Sequence, residues 1–154
     1  MKHSAEYYIE HLEMEPHVEG GYFKECLLEK EERNLWSSIY FLLAKGEVSH
    51  FHRLKSDEVW YYHDGNALTI YMIDKAGKLT AAKLGLNLEK GEVPQVLVPK
   101  GMIFGSAMEE EGFSLVGCMV SPCFKYEEFE LFDRKDLLEK YPEHREVILR
   151  LTSE

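Results

Sequence analysis

The stretch "SHFHRLKSDEVWYYHDG", residues 49–65, combines residue types that transfer protons and bind metal ions. In an extended strand alternate side chains share a face, so we expect His50 and His52 to point the same way and Phe51 the other way. Glu58 starts a following run that is predicted to pair antiparallel with the first. Two imidazoles and a carboxylate are the ligand set of an open mononuclear metal site.

The same side chains also suit acid–base chemistry without a metal. We expect the carboxylate of Glu58 to orient the ring of His52 and raise its basicity, as a general base near neutral pH requires. A tyrosine such as Tyr40 or Tyr71 would then return a proton from the opposite face of the substrate. The alternative for His50 is a structural histidine that is hydrogen-bonded to a neighbour.

Other side chains are candidates for binding a ligand. Arg53 could bind an anionic group at the rim, and Gln95 is a polar residue in an otherwise apolar strand, so it needs a partner. Rings that could stack on a sugar or a base are Trp60, Tyr62 and Phe104, although aromatic residues at strand spacing are more often core. The glycines of "EGGY", residues 19–22, let the backbone approach a ligand or another strand.

The elements that must position these residues are mostly strands. Apolar residues at helical spacing after Ser4 predict a helix over residues 4–14. Short apolar or alternating runs between turn residues predict strands at 22–28, 35–43, 48–53, 58–62, 67–73, 79–84, 95–98, 102–108 and 113–120. Such spacing is typical of a sandwich or small barrel, here over residues 22–132. Asp133 and Pro142 predict helices over 133–151. The length of the chain and the lack of a linker lead us to expect a single domain over residues 1–154.

Composition excludes several classes of function. The 154 residues carry 18 Lys and Arg against 28 Asp and Glu, a net charge of -10, and no basic stripe, so we expect no nucleic-acid partner. The longest apolar runs are too short to cross a membrane and the first residues do not form a signal peptide, so a cytoplasmic location without membrane contact is expected. The three cysteines form no CxxC pair, which favours free thiols.

The arrangement of glycine, HxH and glutamate resembles the first motif of the cupin superfamily. Its residues here are Gly46, His50, His52, Glu58 and Gly65. The second cupin motif, PxGxxH, appears as Pro99, Gly101 and Phe104, so its histidine is replaced. The resemblance implies an all-β fold, a double-stranded β-helix or jelly-roll barrel, with a short N-terminal helix and C-terminal helices.

The chain is most similar to a branch of small, single-domain bacterial and fungal cupins that are labelled predicted sugar epimerases and have no assigned activity. The matching segments are "HVEGGYFKE" (17–25), "SSIYFLL" (37–43), "FHRLKSDEVWYYHDG" (51–65), "PQVLVPKGMIFG" (94–105) and "LVGCMVSPCFKYEEFEL" (115–131). The resemblance implies a pocket for a small sugar-like or carboxylate-like molecule at one end of the barrel, a role in it for Glu19, and a homodimer paired through edge strands.

Three hypotheses for the function follow. In the first, the protein is a sugar or nucleotide-sugar epimerase or isomerase that needs no cofactor and uses His52 and Glu58. In the second, it is an oxygenase or isomerase that depends on a divalent metal (Fe, Mn, Ni or Zn) held by His50, His52 and Glu58. In the third, it binds a ligand without turnover.

Overall fold

A computed structural model describes residues 2–28, 35–44 and 46–154 of the protein. In chain order, the described strands are β1 (Glu15–Pro16), β2 (Tyr22–Leu28), β3 (Ser37–Ala44), β4 (Val48–Arg53), β5 (Asp57–Gly65), β6 (Leu68–Ile73), β7 (Leu79–Leu84), β8 (Glu92–Val93), β9 (Gln95–Val98), β10 (Ile103–Ala107), β11 (Phe113–Ser121) and β12 (Glu130–Leu131). The described helices are α1 (Ala5–His11), α2 (Arg134–Lys140) and α3 (Arg145–Arg150), and one-turn 3₁₀ helices lie at Leu88–Lys90, Tyr126–Glu128 and Pro142–His144.

The strands form two six-stranded sheets. One has the order β1-β2-β3-β11-β5-β9 and the other the order β12-β4-β10-β6-β7-β8. The strand pairs are antiparallel apart from the short parallel contact between β7 and β8. Neighbours along the chain often lie in different sheets, as in a jelly roll, and the predicted all-β class is confirmed.

The main apolar core lies between the two sheets. Phe41, Trp60 and Val116 come from the first sheet and meet Ile70 and Phe104 of the second, each of them at most 1% exposed. Burial of a side chain of this size contributes about 1.5–3 kcal/mol to the free energy of unfolding. The core therefore fixes the spacing between the sheets, and with it the space in which any site between them must lie.

Helices cover the outer faces of both sheets. Leu137 of α2 and Ile148 of α3 pack on Phe51 and Ile103 of the second sheet, while Ala5 lies in the cluster that covers the first. Ser4 caps α1 by accepting a hydrogen bond from the Tyr7 N–H, and Asp133 caps α2 in the same way. Because both faces of the central strands are covered, β6, β10 and β11 are buried along most of their length.

The first helix is shorter than the predicted range 4–14. It ends at His11, and Glu13 follows in the left-handed region, with a φ of 52°. No helix among the described residues combines the length and apolarity that crossing a membrane would require.

Candidate functional site

The side chain of His52 lies at the centre of the site and is held at both ring nitrogens. Its Nε2 lies 2.9 Å from Oε2 of Glu19, and its Nδ1 lies 2.7 Å from the carbonyl oxygen of His50. A carbonyl oxygen only accepts, so Nδ1 must carry a proton and donate it. His52 is 2% exposed, which makes its contact with Glu19 a buried pair.

Glu19 reaches His52 because two glycines let its loop lie against the neighbouring strands. A Cβ on Gly20, whose φ is +108°, would fall on the carbonyl oxygen of Val48, and one on Gly21 would lie 2.6 Å from that of Leu42. The His50 N–H donates to the Glu19 carbonyl oxygen at 2.7 Å and fastens the loop to β4. The glycines of "EGGY" were predicted to let the backbone approach either a ligand or another strand. In the structure they let it approach another strand.

His17 is a site residue that the sequence analysis did not single out. Its Nδ1 accepts a hydrogen bond from the Glu19 N–H at 3.1 Å and lies 3.7 Å from Glu19 Oε1. Burial lowers the pKa of His17, so the ring is neutral with its remaining proton on Nε2. The sequence feature that could have pointed to His17 is its position two residues before Glu19, which is the same spacing as in the HxH pair.

Glu19 and His52 form an ion pair. Burial lowers the pKa of His52, but the charge of Glu19 and their hydrogen bond outweigh this effect and raise that pKa above its usual value. Burial raises the pKa of Glu19, yet the opposing charge of His52 holds it below the usual value of a carboxyl. The stable arrangement is therefore a carboxylate facing an imidazolium.

Glu58 is the second buried carboxyl group at the site. Burial first, and the charge of Glu19 second, raise its pKa to about 7 against the opposing effects of His52, the Cys118 thiol and the Trp60 indole. Within the described part of the chain, the buried Trp60 Nε1 has no hydrogen-bond partner of good geometry, although it lies close enough to affect Glu58. Glu58 can therefore gain or lose a proton near neutral pH.

These groups line one cavity between the sheets. His17, Glu19, His52 and Glu58 form its polar part, and the rest of the wall includes Phe23, Ile39, Phe124, Tyr126 and Phe129. The centres of water-sized molecules have about 80 Å³ available to them. One water needs about 10–15 Å³ on this measure, so the cavity has room for several waters or a small organic group but not for a nucleotide.

Two of the predicted aromatic residues stand behind the site. The ring of Phe104 lies 4.1 Å from that of His52, so it supports the imidazole where the second cupin motif has a histidine. Trp60 is packed edge-on against Phe104 and Phe41 in the core.

The structure places five other predicted residues away from the cavity. Arg53 donates two hydrogen bonds to Glu130 at the rim, and Gln95 is exposed on β9. The Tyr62 hydroxyl donates to the carbonyl oxygen of Gly65. Tyr40 and Tyr71 lie on the outer faces of the sheets, where Tyr40 packs near His63 and Tyr71 donates to Glu109.

The predicted metal set of His50, His52 and Glu58 does not converge. β4 has a bulge opposite Gly105, where its register with β10 moves from His52↔Phe104 to Ser49↔Ser106. The bulge breaks the alternation that was expected to put both histidines on one face, and His50 is not part of the cavity wall. No group of three His, Cys, Asp or Glu side chains in the described ranges has the geometry of a metal site. Because Glu19 also holds the remaining nitrogen of His52, these residues do not fit a metal ion.

Comparisons with known proteins agree with this architecture. Residues 6–132 match the family model described as Cupin superfamily (DUF985). The crystal structure of protein SO0799 from Shewanella oneidensis is 56% identical, covers 98% of both chains and superposes with a TM-score of 0.95. A hypothetical protein from Leishmania major is 36% identical over 99% of this chain and 100% of its own, with a TM-score of 0.92.

A more distant likeness extends to an enzyme. A mutant of oxalate decarboxylase from Bacillus subtilis is 17% identical, with a TM-score of 0.60 over 90% of this chain and 37% of its own. At that identity the likeness concerns the fold alone. No curated protein matches the chain.

Proposed function

The chain belongs to the cupin superfamily, and on that premise we propose that its cavity catalyses proton transfer on a small sugar-like hydroxycarbonyl compound, as a sugar isomerase or epimerase does. One observation carries the proposal. A buried ion pair between Glu19 and His52 lies beside a second buried carboxyl, Glu58, in the wall of a cavity with room for a small organic group.

Glu58 is the general base of the proposed reaction. Its carboxylate removes a proton from the carbon next to the carbonyl, and the electron pair of that C–H bond moves to the carbonyl oxygen to form an enediolate. A base works best when its pKa lies near the working pH, and the pKa of Glu58 is about 7. Transfer of the hydroxyl proton to the former carbonyl oxygen, and return of the Glu58 proton to the former carbonyl carbon, complete an isomerisation with this one base.

His52 stabilises the oxygen on which negative charge develops. Both of its N–H groups stay hydrogen-bonded, one to Glu19 and one to the carbonyl oxygen of His50, so His52 acts through the positive charge of an imidazolium whose position is fixed before the reaction begins. This reverses the role predicted from the sequence, where His52 was the base, because a histidine that already carries both protons cannot accept another. Tyr40 and Tyr71 take no part in this mechanism.

The walls of the cavity support a sugar-like ligand. Phe23, Phe124 and Phe129 present rings on which the C–H face of a hydroxycarbonyl compound can pack, while the acid–base groups lie together in the same wall. The volume admits the reacting carbons of such a compound and leaves any larger part outside.

The proposal is tested by deuterium exchange in D₂O, followed by NMR on a panel of simple aldoses and ketoses. We expect the wild-type protein to exchange the C–H next to the carbonyl of at least one compound. General acid–base catalysis contributes about 10²–10⁴-fold, so Glu58→Gln is expected to slow exchange by at least about 100-fold. The matched control is Glu10→Gln, an exposed residue of α1, which leaves the rate unchanged.

Three outcomes would contradict the proposal. If Glu58→Gln exchanges as fast as wild type, Glu58 is not the base. If protein purified without chelator holds a stoichiometric metal that His50→Ala loses, the metal-dependent alternative gains support. Binding of a panel compound without any exchange favours the ligand-binding alternative instead.

A further inference from the structure

A second concavity, which we call the lysine groove, adjoins the cavity. Lys55, Lys75 and Lys100 line it around Gly101, and the centres of water-sized molecules have about 400 Å³ available in it. On that measure it is several times larger than the cavity. None of the three lysines takes part in the proposed proton transfer, so the groove needs its own explanation.

Three lysine-bearing loops meet at the groove. The Gly101 N–H donates to the Leu54 carbonyl oxygen at 2.9 Å, and the Lys100 N–H donates to Asp57 Oδ1 at 2.8 Å. Lys75 lies against the same turn, since a Cβ on Gly101 would be 3.8 Å from its Cε. Hydrogen bonds therefore hold the loops after β4 and β9 together, and the side chain of Lys75, from the loop after β6, reaches the same place.

The charge in the groove is unbalanced locally. Among the described residues, Lys55, Lys75 and Lys100 have no carboxylate within ion-pair distance, whereas Arg53 is paired with Glu130 at 2.7 Å. The nearby acids have other partners: Asp57 accepts the Lys100 N–H, and Asp74 accepts two backbone N–H groups of its own turn.

Glu128 is the remaining carboxylate of the groove wall. The groove wall as a whole carries Arg53 and the three lysines against Glu128 and Glu130, a local excess of positive charge in a chain with a net charge of -10. The mutual repulsion of the lysines would be relieved by a bound anion. The overall negative charge disfavours a long polyanion, so the anion that suits this local excess is a small one.

The groove and the cavity share a wall. Leu54 lines both, and Phe129 of the cavity wall stands between Glu128 and Glu130 of the groove wall. A ligand that spans this shared wall would place one group beside Glu58 and another among the lysines. The cavity alone is too small for a large charged group, which must stay outside it.

We propose that the lysine groove binds the phosphate or diphosphate group of the ligand whose hydroxycarbonyl part enters the cavity. This inference rests on the proposed function and narrows its substrate class to phosphorylated sugars, including sugars carried on a nucleoside diphosphate. Lysine ammonium groups bind phosphate oxygens as point charges through charge-assisted hydrogen bonds. The phosphate would hold the substrate while its carbonyl end reacts.

Calorimetric titration of the full chain with inorganic pyrophosphate tests the groove. We expect the triple variant Lys55→Gln, Lys75→Gln and Lys100→Gln to bind at least about tenfold more weakly than wild type. The control is Lys83→Gln, Lys90→Gln and Lys135→Gln, which removes the same charge elsewhere and changes affinity less than about twofold. If the groove binds pyrophosphate more tightly than inorganic phosphate, the ligand carries a diphosphate group. If the two affinities are equal, the ligand carries a monophosphate group.

A further variant separates this inference from the proposed function. Glu58→Gln should bind pyrophosphate as wild type does, because Glu58 lies in the cavity and not in the groove. If wild type does not bind pyrophosphate, or if the groove and control variants bind it equally, the phosphate site is overturned. Deuterium exchange on a sugar phosphate beside its unphosphorylated form decides the proton-transfer proposal independently of pyrophosphate binding.

Discussion

Glu58 connects the site to the stability of the fold. Its pKa is about 7 in the folded protein against a usual value of 4.5, so the folded state binds this proton more tightly than the unfolded state does. The stabilisation from the bound proton is fully present below pH 4.5 and is lost as the pH rises through about 7. One pKa unit corresponds to about 1.4 kcal/mol, so the loss between pH 5 and pH 8 is about 2–3 kcal/mol.

Glu58→Gln removes this titration. We expect the free energy of unfolding of the variant minus that of wild type to be about 2–3 kcal/mol larger at pH 8 than at pH 5, because only wild type loses stability over this range. Urea unfolding at the two pH values measures it, with Glu10→Gln as the exposed control. An equal difference between variant and wild type at both values would show that Glu58 ionises normally.

Sequence reasoning identified part of the site at this scale. His52 and Glu58 stand out by residue type and spacing, and both line the cavity, while Glu19 was favoured through the resemblance of its motif. The pairing could not be predicted, because the partner of His52 comes from a loop and not from the paired strand. The aromatic walls contributed by Phe124 and Phe129 come from an irregular segment, for which strand periodicity gives no orientation.

The loop that carries Glu19 depends on a glycine at one position. Gly20→Ala would place a methyl group on the Val48 carbonyl oxygen and force the loop away from β4. The matched control is Gly46→Ala, since Gly46 also has a positive φ, 79°, but a Cβ there meets nothing within 4 Å.

We expect Gly20→Ala to abolish the NMR signal of the hydrogen-bonded imidazole N–H of His52. We also expect it to lower the free energy of unfolding by about 1–3 kcal/mol more than Gly46→Ala does. If the signal survives in Gly20→Ala, the loop tolerates the methyl group and Glu19 does not depend on this approach.

Element bounds were predictable where the hydrophobic pattern changes sharply. β2, β4, β7 and β9 have the predicted bounds, whereas β5 runs on from the predicted 58–62 to Gly65 through a register shift against β11. The bulge in β4 escaped prediction because counting alternate residues assumes an unbroken register. That one irregularity decides which of the two histidines enters the cavity.

At the scale of the whole molecule, we propose the homodimer that the family resemblance implies. β8 and β9 lie at the edges of the two sheets, and Leu86, Val93 and Leu97 near these edges are each more than 40% exposed. Open edges and exposed apolar residues favour association with another chain.

Light scattering of the wild-type protein should give twice the mass of one chain. The double variant Leu86→Glu and Leu97→Glu should shift the protein towards the monomer. Tyr7→Glu, at an exposed apolar residue of α1, is the control and should leave the mass unchanged. A wild-type protein with the mass of one chain at micromolar concentration would refute the dimer.

The hydrogen bonds at both ring nitrogens of His52 limit how this imidazole can move. A histidine that carries protons by swinging its ring must release one nitrogen and then the other, and here each release would break a buried hydrogen bond. The ring is therefore a fixed positive charge and not a relay. In the proposed reaction, isotope that washes into product from solvent enters by way of Glu58, so the extent of wash-in reports how fast the Glu58 proton exchanges with bulk water.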